Sequence, residues 1–224
     1  MKIETKNLTK VYRLGSSEIV AVNDVSLSVG QKAFIAIVGR SGSGKSTLLN
    51  LIGLNDSPTS GKVFIDERDV SGLSNRERRR VRLQQMGFVF QTFNLLPTLN
   101  AKENVELPLS LAGKPRKEQE QKALKLLETV GLAKRAFHRP KQLSIGEMQR
   151  VSIARALAND PEVIIADEPT GELDSKTARE IISLLEYVNR KEKKTVIVAT
   201  HDEKVFDEAD TIYTMQDGRV SSTR

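Results

Sequence analysis

Apolar positions follow two different rhythms along this chain, and their order predicts an architecture. Over the first thirty residues, "MKIETKNLTKVY" and the stretch after it alternate polar and apolar side chains, the period of a half-buried strand. "KAFIAIVG", 32 to 39, runs apolar without alternation and ends on glycine, as a strand buried on both faces does. "EVIIADEP" and "KTVIVATHD" repeat that pattern later. Between them, "SKTAREIISLLEYVNRK" places Ile181, Leu184, Leu185 and Val188 on one face of a helix, a stripe that reads as core. Buried strand, helix, buried strand predicts a parallel α/β sheet.

The intervening segments read differently. "DSPTSGKVFIDERDV" sets Pro, Ser and Gly turn signals around a short strand, and Ser74 with Glu77 has capping-box spacing at the start of a basic, solvent-facing helix. From about 92 to 150, Pro97, Pro108 and Pro115 are expected to separate short helical pieces, of which "ALKLLETVGL" shows helical spacing. This stretch reads as a helical insert.

Composition narrows the classes. The 224 residues suffice for one large domain with an inserted part. The longest apolar runs fall far short of the roughly 18 residues that span a bilayer. No secretory leader is legible at the start, so a cytoplasmic location is expected. With no cysteine, disulfides and thiolate metal sites are excluded. The formal charge of +6 is spread over helices that also carry acids, and aromatic residues make up only 4%, too few for a base-stacking platform. No nucleic-acid partner is expected.

The chemistry begins at "GRSGSGKST", 39 to 47, directly after the buried strand and of the form GxxxxGK[ST]. Such a loop curls its backbone N–H groups toward phosphate oxygens, its lysine supplies a point charge, and its hydroxyl ligates Mg²⁺. The candidate contacts to nucleotide are Gly39, Ser41, Gly42, Ser43, Gly44, Lys45, Ser46 and Thr47. A phosphate-bound Mg²⁺ also needs a carboxylate, and "VIIADE", 163 to 168, supplies one at a strand end. Asp167 is assigned to the metal with Ser46, and Glu168 to polarising the attacking water.

These two elements define a P-loop nucleoside triphosphatase and leave GTPases, helicases and kinases open. "LSIGEMQR", 143 to 150, followed by "VSIARAL" and the acidic strand, resembles the signature of ATP-binding cassette (ABC) ATPases, whose common form is LSGGQ. The resemblance covers essentially the whole chain. It implies a P-loop (RecA-like) α/β core with a mainly parallel sheet, an N-terminal antiparallel β subdomain and an inserted α-helical subdomain. The expected layout is a single domain, 1–224, with about 1–91 and 151–224 as the core and about 92–150 as the insert, ending in the signature. Tyr12 matches the aromatic that stacks on adenine, Gln91 the glutamine that touches Mg²⁺ or water, Asp174 the D-loop and His201 the switch histidine.

The resemblance further implies that Ser144, Gly146 and Glu147 act in trans, on ATP held by a second copy in a C₂ dimer with two ATP molecules at its seam. It implies an integral membrane permease as partner and a place on the cytoplasmic face of the membrane. Particular stretches look most like the ATPases of lipoprotein-release and macrolide-export systems. Phe88, Phe90, Phe93, Leu95 and Leu96 are expected to line the groove for the permease. Two rivals stay open: a regulatory cassette with weak hydrolysis, and a soluble nucleic-acid-associated ABC protein. The first draws on two departures in the signature, Ile145 for glycine and Glu147 for glutamine. Against it, Ser144 and Glu147 have capping-box spacing, which puts Ile145 at an ordinary helical position and turns Glu147 away from the phosphate.

Overall fold

The structure, a computed structural model, describes residues 1–15, 17–201, 205 and 207–222. In chain order the elements are β1 (Ile3–Leu14), β2 (Ser17–Val29), β3 (Phe34–Val38), α1 (Lys45–Ile52), β4 (Ser60–Ile65) and β5 (Arg68–Asp69). There follow α2 (Asn75–Gln85), β6 (Met86–Phe90), α3 (Ala101–Leu111), α4 (Arg116–Thr129) and α5 (Ile145–Ala156). The chain ends with β7 (Val163–Asp167), α6 (Ser175–Arg190), β8 (Thr195–Thr200), β9 (Thr211–Gln216) and β10 (Arg219–Ser222).

The alternating segments form an antiparallel sheet in the order β2-β1-β4-β5, with Val25, Leu27 and Val29 of β2 turned inward. The continuous apolar segments form a second sheet, β10-β9-β3-β8-β7-β6, parallel from β9 to β6 with β10 antiparallel at its edge. Its strands read as unbroken apolar runs because both faces are covered. Phe34, Ala36, Ile164, Ala166, Val196 and Val198 face a core shared with α3, α4 and α6. Their neighbours Ile35, Ile37, Ile165, Ile197 and Ala199 face α1 and the antiparallel sheet. Ile181, Leu184, Leu185 and Val188 of α6 are all buried.

The architecture is the one expected from the motifs: an antiparallel N-terminal part, a mostly parallel sheet and a set of helices between β6 and β7. Ser74 caps α2 with a complete capping box, and no residue of that helix is buried. One expectation needs correction. Pro108 does not separate two helices but lies inside α3, whose Leu109 is fully buried beyond it. The proline forfeits one bond of the ladder, that of its missing N–H to the Asn104 carbonyl, and the burial of Val105 and Leu109 on either side of it offsets that loss. The strands β6, β9 and β10 carried no clear signal in the sequence.

What positions the site is register. Val38 of β3 lies beside Thr200 of β8, and Asp167 of β7 beside Ala199. Three parallel strands thus end at one edge, and the chain segments that follow them meet there.

Candidate nucleotide site

The loop after β3 leads into α1, whose N-cap is Gly44 at φ 105. An L-residue pays heavily for that backbone, so the glycine is required by the turn itself. Lys45, the first residue of the helix, is 6% exposed. Its Nζ donates to the carbonyls of Gly39 (2.7 Å) and Arg40 (3.2 Å) and pairs with Glu168 Oε1 at 3.2 Å. The ammonium is therefore fixed by its own loop at the centre of the site. Ser43 is buried, and its carbonyl accepts the Gly218 N–H at 3.0 Å.

The two acids at the end of β7 diverge. Asp167 accepts the Ser46 hydroxyl on Oδ1 at 3.0 Å. Burial pushes its carboxyl upward, with Ser46 opposing. Glu168 stands at φ 46, a left-handed conformation uncommon for such a residue, held by its N–H to the Ala199 carbonyl at 2.8 Å. That backbone turn sends its side chain to a different set of partners. Glu168 Oε2 lies 2.9 Å from His201 Nδ1, and its other oxygen meets Lys45. One strand end so offers one carboxylate to a hydroxyl and another to a lysine and an imidazole.

A cavity of about 580 Å³ opens over Lys45, Ser46, Glu168 and His201, with Asp167 behind its lining. Ser41, Gly42, Gly44, Lys45, Ser46, Thr47, Gln91, Glu168 and His201 line it. Gly39 and Ser43 stand behind the loop and support it, Gly39 through its carbonyl to Lys45. Gln91 reaches the cavity, but its Nε2 donates to Glu172 Oε1 at 2.9 Å rather than toward Ser46 or Asp167. Tyr12 sits at the margin, opposite Ile19 on the next strand, its hydroxyl bonded to Asp56 at 2.9 Å and Lys10 over its ring at 4.9 Å.

Ile19, Val20, Ala21, Asp217 and Gly218 also line the cavity and were missed by sequence reasoning. Ile19 and Val20 did leave a signal: two adjacent apolar residues break the alternation of β2, and both are about half exposed, at 52% and 48%. Asp217 and Gly218 left none, being brought in by the β9–β10 hairpin.

The signature residues lie elsewhere. Ser144 is the N-cap of α5, at φ −66 and ψ 164, with a complete capping box to Glu147, and Ile145 follows in the helix with 48% of its surface exposed. Ile145 thus occupies ordinary backbone. Gly146 faces its own chain, since a Cβ there would overlap Thr177 Cγ2. Asp174 caps α6 through the N–H groups of Lys176 and Thr177 and also binds the Thr177 hydroxyl at 2.6 Å. None of Ser144, Ile145, Gly146, Glu147 and Asp174 lines the cavity of its own chain. Gln149, further along the same helix, is fully buried and donates to the Pro169 carbonyl at 2.7 Å. It ties the signature helix to the segment just past Glu168, a link with no local signal in the sequence.

A glycine-rich loop at a helix start, a lysine within it, and a hydroxyl–carboxylate pair at parallel strand ends define a P-loop nucleotide hydrolase. Residues 22–171 match the ABC transporter family, and the chain belongs to it. It is an ATP-hydrolysing subunit of that family. An uncharacterized ABC transporter ATP-binding protein of Thermotoga maritima is 49% identical over 218 residues, covering 97% of this chain and 93% of its own length. The macrolide export ATP-binding/permease protein MacB of Burkholderia pseudomallei is 47% identical over 222 residues, 99% of this chain but only 34% of MacB. Solved structures of the cassette MJ0796 share 45% identity and 99% of each chain. One is dimeric, with a TM-score of 0.92, and the other is a dimeric post-hydrolysis state bound to ADP and Pi, with a TM-score of 0.91.

Proposed function

We propose that two copies of this chain close over two ATP molecules, hydrolyse them, and thereby drive a separate integral membrane permease from the cytoplasmic face of the membrane. The observation that carries the reading is the split of the acidic pair. Asp167 and Ser46 offer a carboxylate and a hydroxyl oxygen 3.0 Å apart, a hard-donor set that fits Mg²⁺ when a substrate phosphate completes it. Mg²⁺ so held would neutralise charge on the phosphates.

This chain's own groups divide the remaining work. Lys45 exchanges its loop carbonyls and Glu168 for phosphate oxygens, which frees the Glu168 carboxylate to accept a proton from water. His201, bonded to the same carboxylate, orients it. Tyr12, Ile19 and Val20 supply apolar and aromatic surface at the adenine end. Gln91 is assigned to water or metal, a role that requires release from Glu172. The start of α5 at Ser144, Gly146 and Glu147 is assigned to the second copy's ATP through the Ser144 hydroxyl and the backbone N–H groups of the turn, with the Glu147 carboxylate held by its own chain, because these residues stand outside the cavity of their own chain and the related MJ0796 cassette is dimeric. Asp174 borders the same seam. The capped, unbroken start of α5 argues against the weakly hydrolysing alternative.

If two copies build each site, specific activity rises with protein concentration and levels off once dimers dominate. A steady-state ATPase series over a hundredfold dilution tests this, and a constant specific activity would count against a shared site.

The permease reading draws on a second cavity, about 810 Å³, between α2, β6 and the helices after it. Phe88, Phe90, Leu83, Pro108 and Leu111 give it an apolar lining, and Arg76, Arg79, Arg80, Arg82 and Arg155 surround it. Phe93, Leu95 and Leu96 do not belong to this lining, contrary to the sequence expectation: Leu95 packs on the core, and the Phe93 carbonyl holds Arg155 at 2.7 Å. Arg155 of α5 thus ties the backbone of Phe93 and Asn94 to that helix. Among the described residues no carboxylate forms a salt bridge with the five arginines. An apolar trough ringed by arginines, of which Arg82 and Arg155 are held by backbone carbonyls, suits a short amphipathic helix of a partner that carries acidic side chains. Leu111, 68% exposed, is the least disruptive probe. Leu111→Asp should keep the thermal midpoint within a few degrees and weaken co-purification of the permease at least about tenfold, by roughly 1.4 kcal/mol; undiminished recovery rejects the groove.

A further inference from the structure

Glu147 poses an electrostatic difficulty. It sits in the first turn of α5, where a carboxylate suits the helix's own N–H groups yet opposes an approaching phosphate. The structure shows how that charge is managed. Oε2 accepts the Ser144 N–H at 2.9 Å, and Oε1 accepts Arg135 Nε at 3.0 Å. Arg135 belongs to the 3₁₀ turn Ala133–Arg135 and is steadied in turn by His138 Nε2 at 3.1 Å from its Nη1. Both carboxylate oxygens are therefore committed within the same chain, one to the helix cap and one to the 3₁₀ turn.

We propose that Arg135 is a positioning residue for hydrolysis: it holds and neutralises the Glu147 carboxylate, so the start of α5 meets the second copy's phosphate as a net-positive helix end. The inference rests on the trans reading above. The Ser144 amide and then Arg135 hold the Glu147 carboxyl below the usual carboxylate range, so the negative charge persists and needs a partner. Without the guanidinium, one oxygen loses its partner, the side chain regains rotamers, and an uncompensated anion stands in the turn that must approach phosphate. A neutral amide at the same position would need no counter-charge.

That difference makes the test. Steady-state ATPase and ATP-dependent sedimentation are compared for the native chain, Arg135→Ala, Glu147→Gln and the double variant, a cycle that isolates the pair. Arg135→Ala should lower kcat about tenfold or more in the presence of Glu147, and by less than about twofold in the Glu147→Gln background. The loss should shrink as ionic strength rises. ATP affinity measured at dilutions where the chain is monomeric should not change with Arg135→Ala. Equal losses in both backgrounds would show Arg135 to be structural, and no loss in either would overturn the proposal outright. Failure of the trans reading shows independently, as absence of an ATP-dependent dimer in Glu168→Gln, which leaves Arg135 and Glu147 intact.

Discussion

Glu168→Gln is expected to slow ATP hydrolysis by about 100- to 10,000-fold, the range a positioned general base contributes, while ATP binding persists. The substitution preserves size and backbone preference at a residue held at φ 46, so the loop geometry should survive. His201 and Lys45 would face an amide instead of a carboxylate. Lys45 then has less to hold it inside its own chain, and exchange toward phosphate is favoured. With binding intact and the proton acceptor removed, the nucleotide stays uncleaved and the closed pair accumulates. Sedimentation velocity with ATP and Mg²⁺ should therefore show a dimer that ADP does not support. Monomers throughout would reject the shared site for this chain, and undiminished turnover would reject Glu168 as the base.

The second large effect is on the scaffold. Gly44→Ala is expected to destabilise the fold by about 3 kcal/mol or more, from left-handed backbone strain and overpacking together. At φ 105 the added Cβ is driven into the Ala21 carbonyl oxygen and lies 2.8 Å from Met215 Cε. Backbone of β2 cannot yield as a side-chain tip does, so α1 must shift and carry Lys45 and Ser46 with it. A drop of roughly 6–12 °C in thermal midpoint, with loss of measurable ATP binding, should follow. Gly42→Ala makes the informative comparison. It has positive φ, 80, but open space around its Cβ position, so it should show the strain without the clash. Equal midpoints for the two variants would mean the contact with β2 contributes nothing.

Much of this molecule was legible before any coordinates. Alternation predicted the antiparallel strands and continuous apolar runs predicted the doubly covered ones, because burial on one face or two writes directly into the sequence. The phosphate loop, the acidic pair and the N-cap of the signature helix were legible for a similar reason: each depends on residues close in sequence. Ser144 with Glu147 illustrates this, since three-residue spacing is all a capping box needs. Pro108 misled because a breaker signal is local, while the burial of Leu109 that outweighs it is not.

What the sequence by itself determined is the inventory: a P-loop ATPase of the ABC family, with its hydroxyl, lysine, carboxylates and histidine at named positions. What only the tertiary structure decided is which of these groups meet. The register of β3, β7 and β8 brings Lys45, Glu168 and His201 into one contact chain, and the β9–β10 hairpin adds Asp217 and Gly218 to the wall. The fold also assigned Gly146 to the packing of Thr177, Gln91 to Glu172, and Arg135 to Glu147. Such pairings join segments 12 to 81 residues apart, and a side chain's partner over that distance is set by how the layers pack, not by its neighbours in sequence.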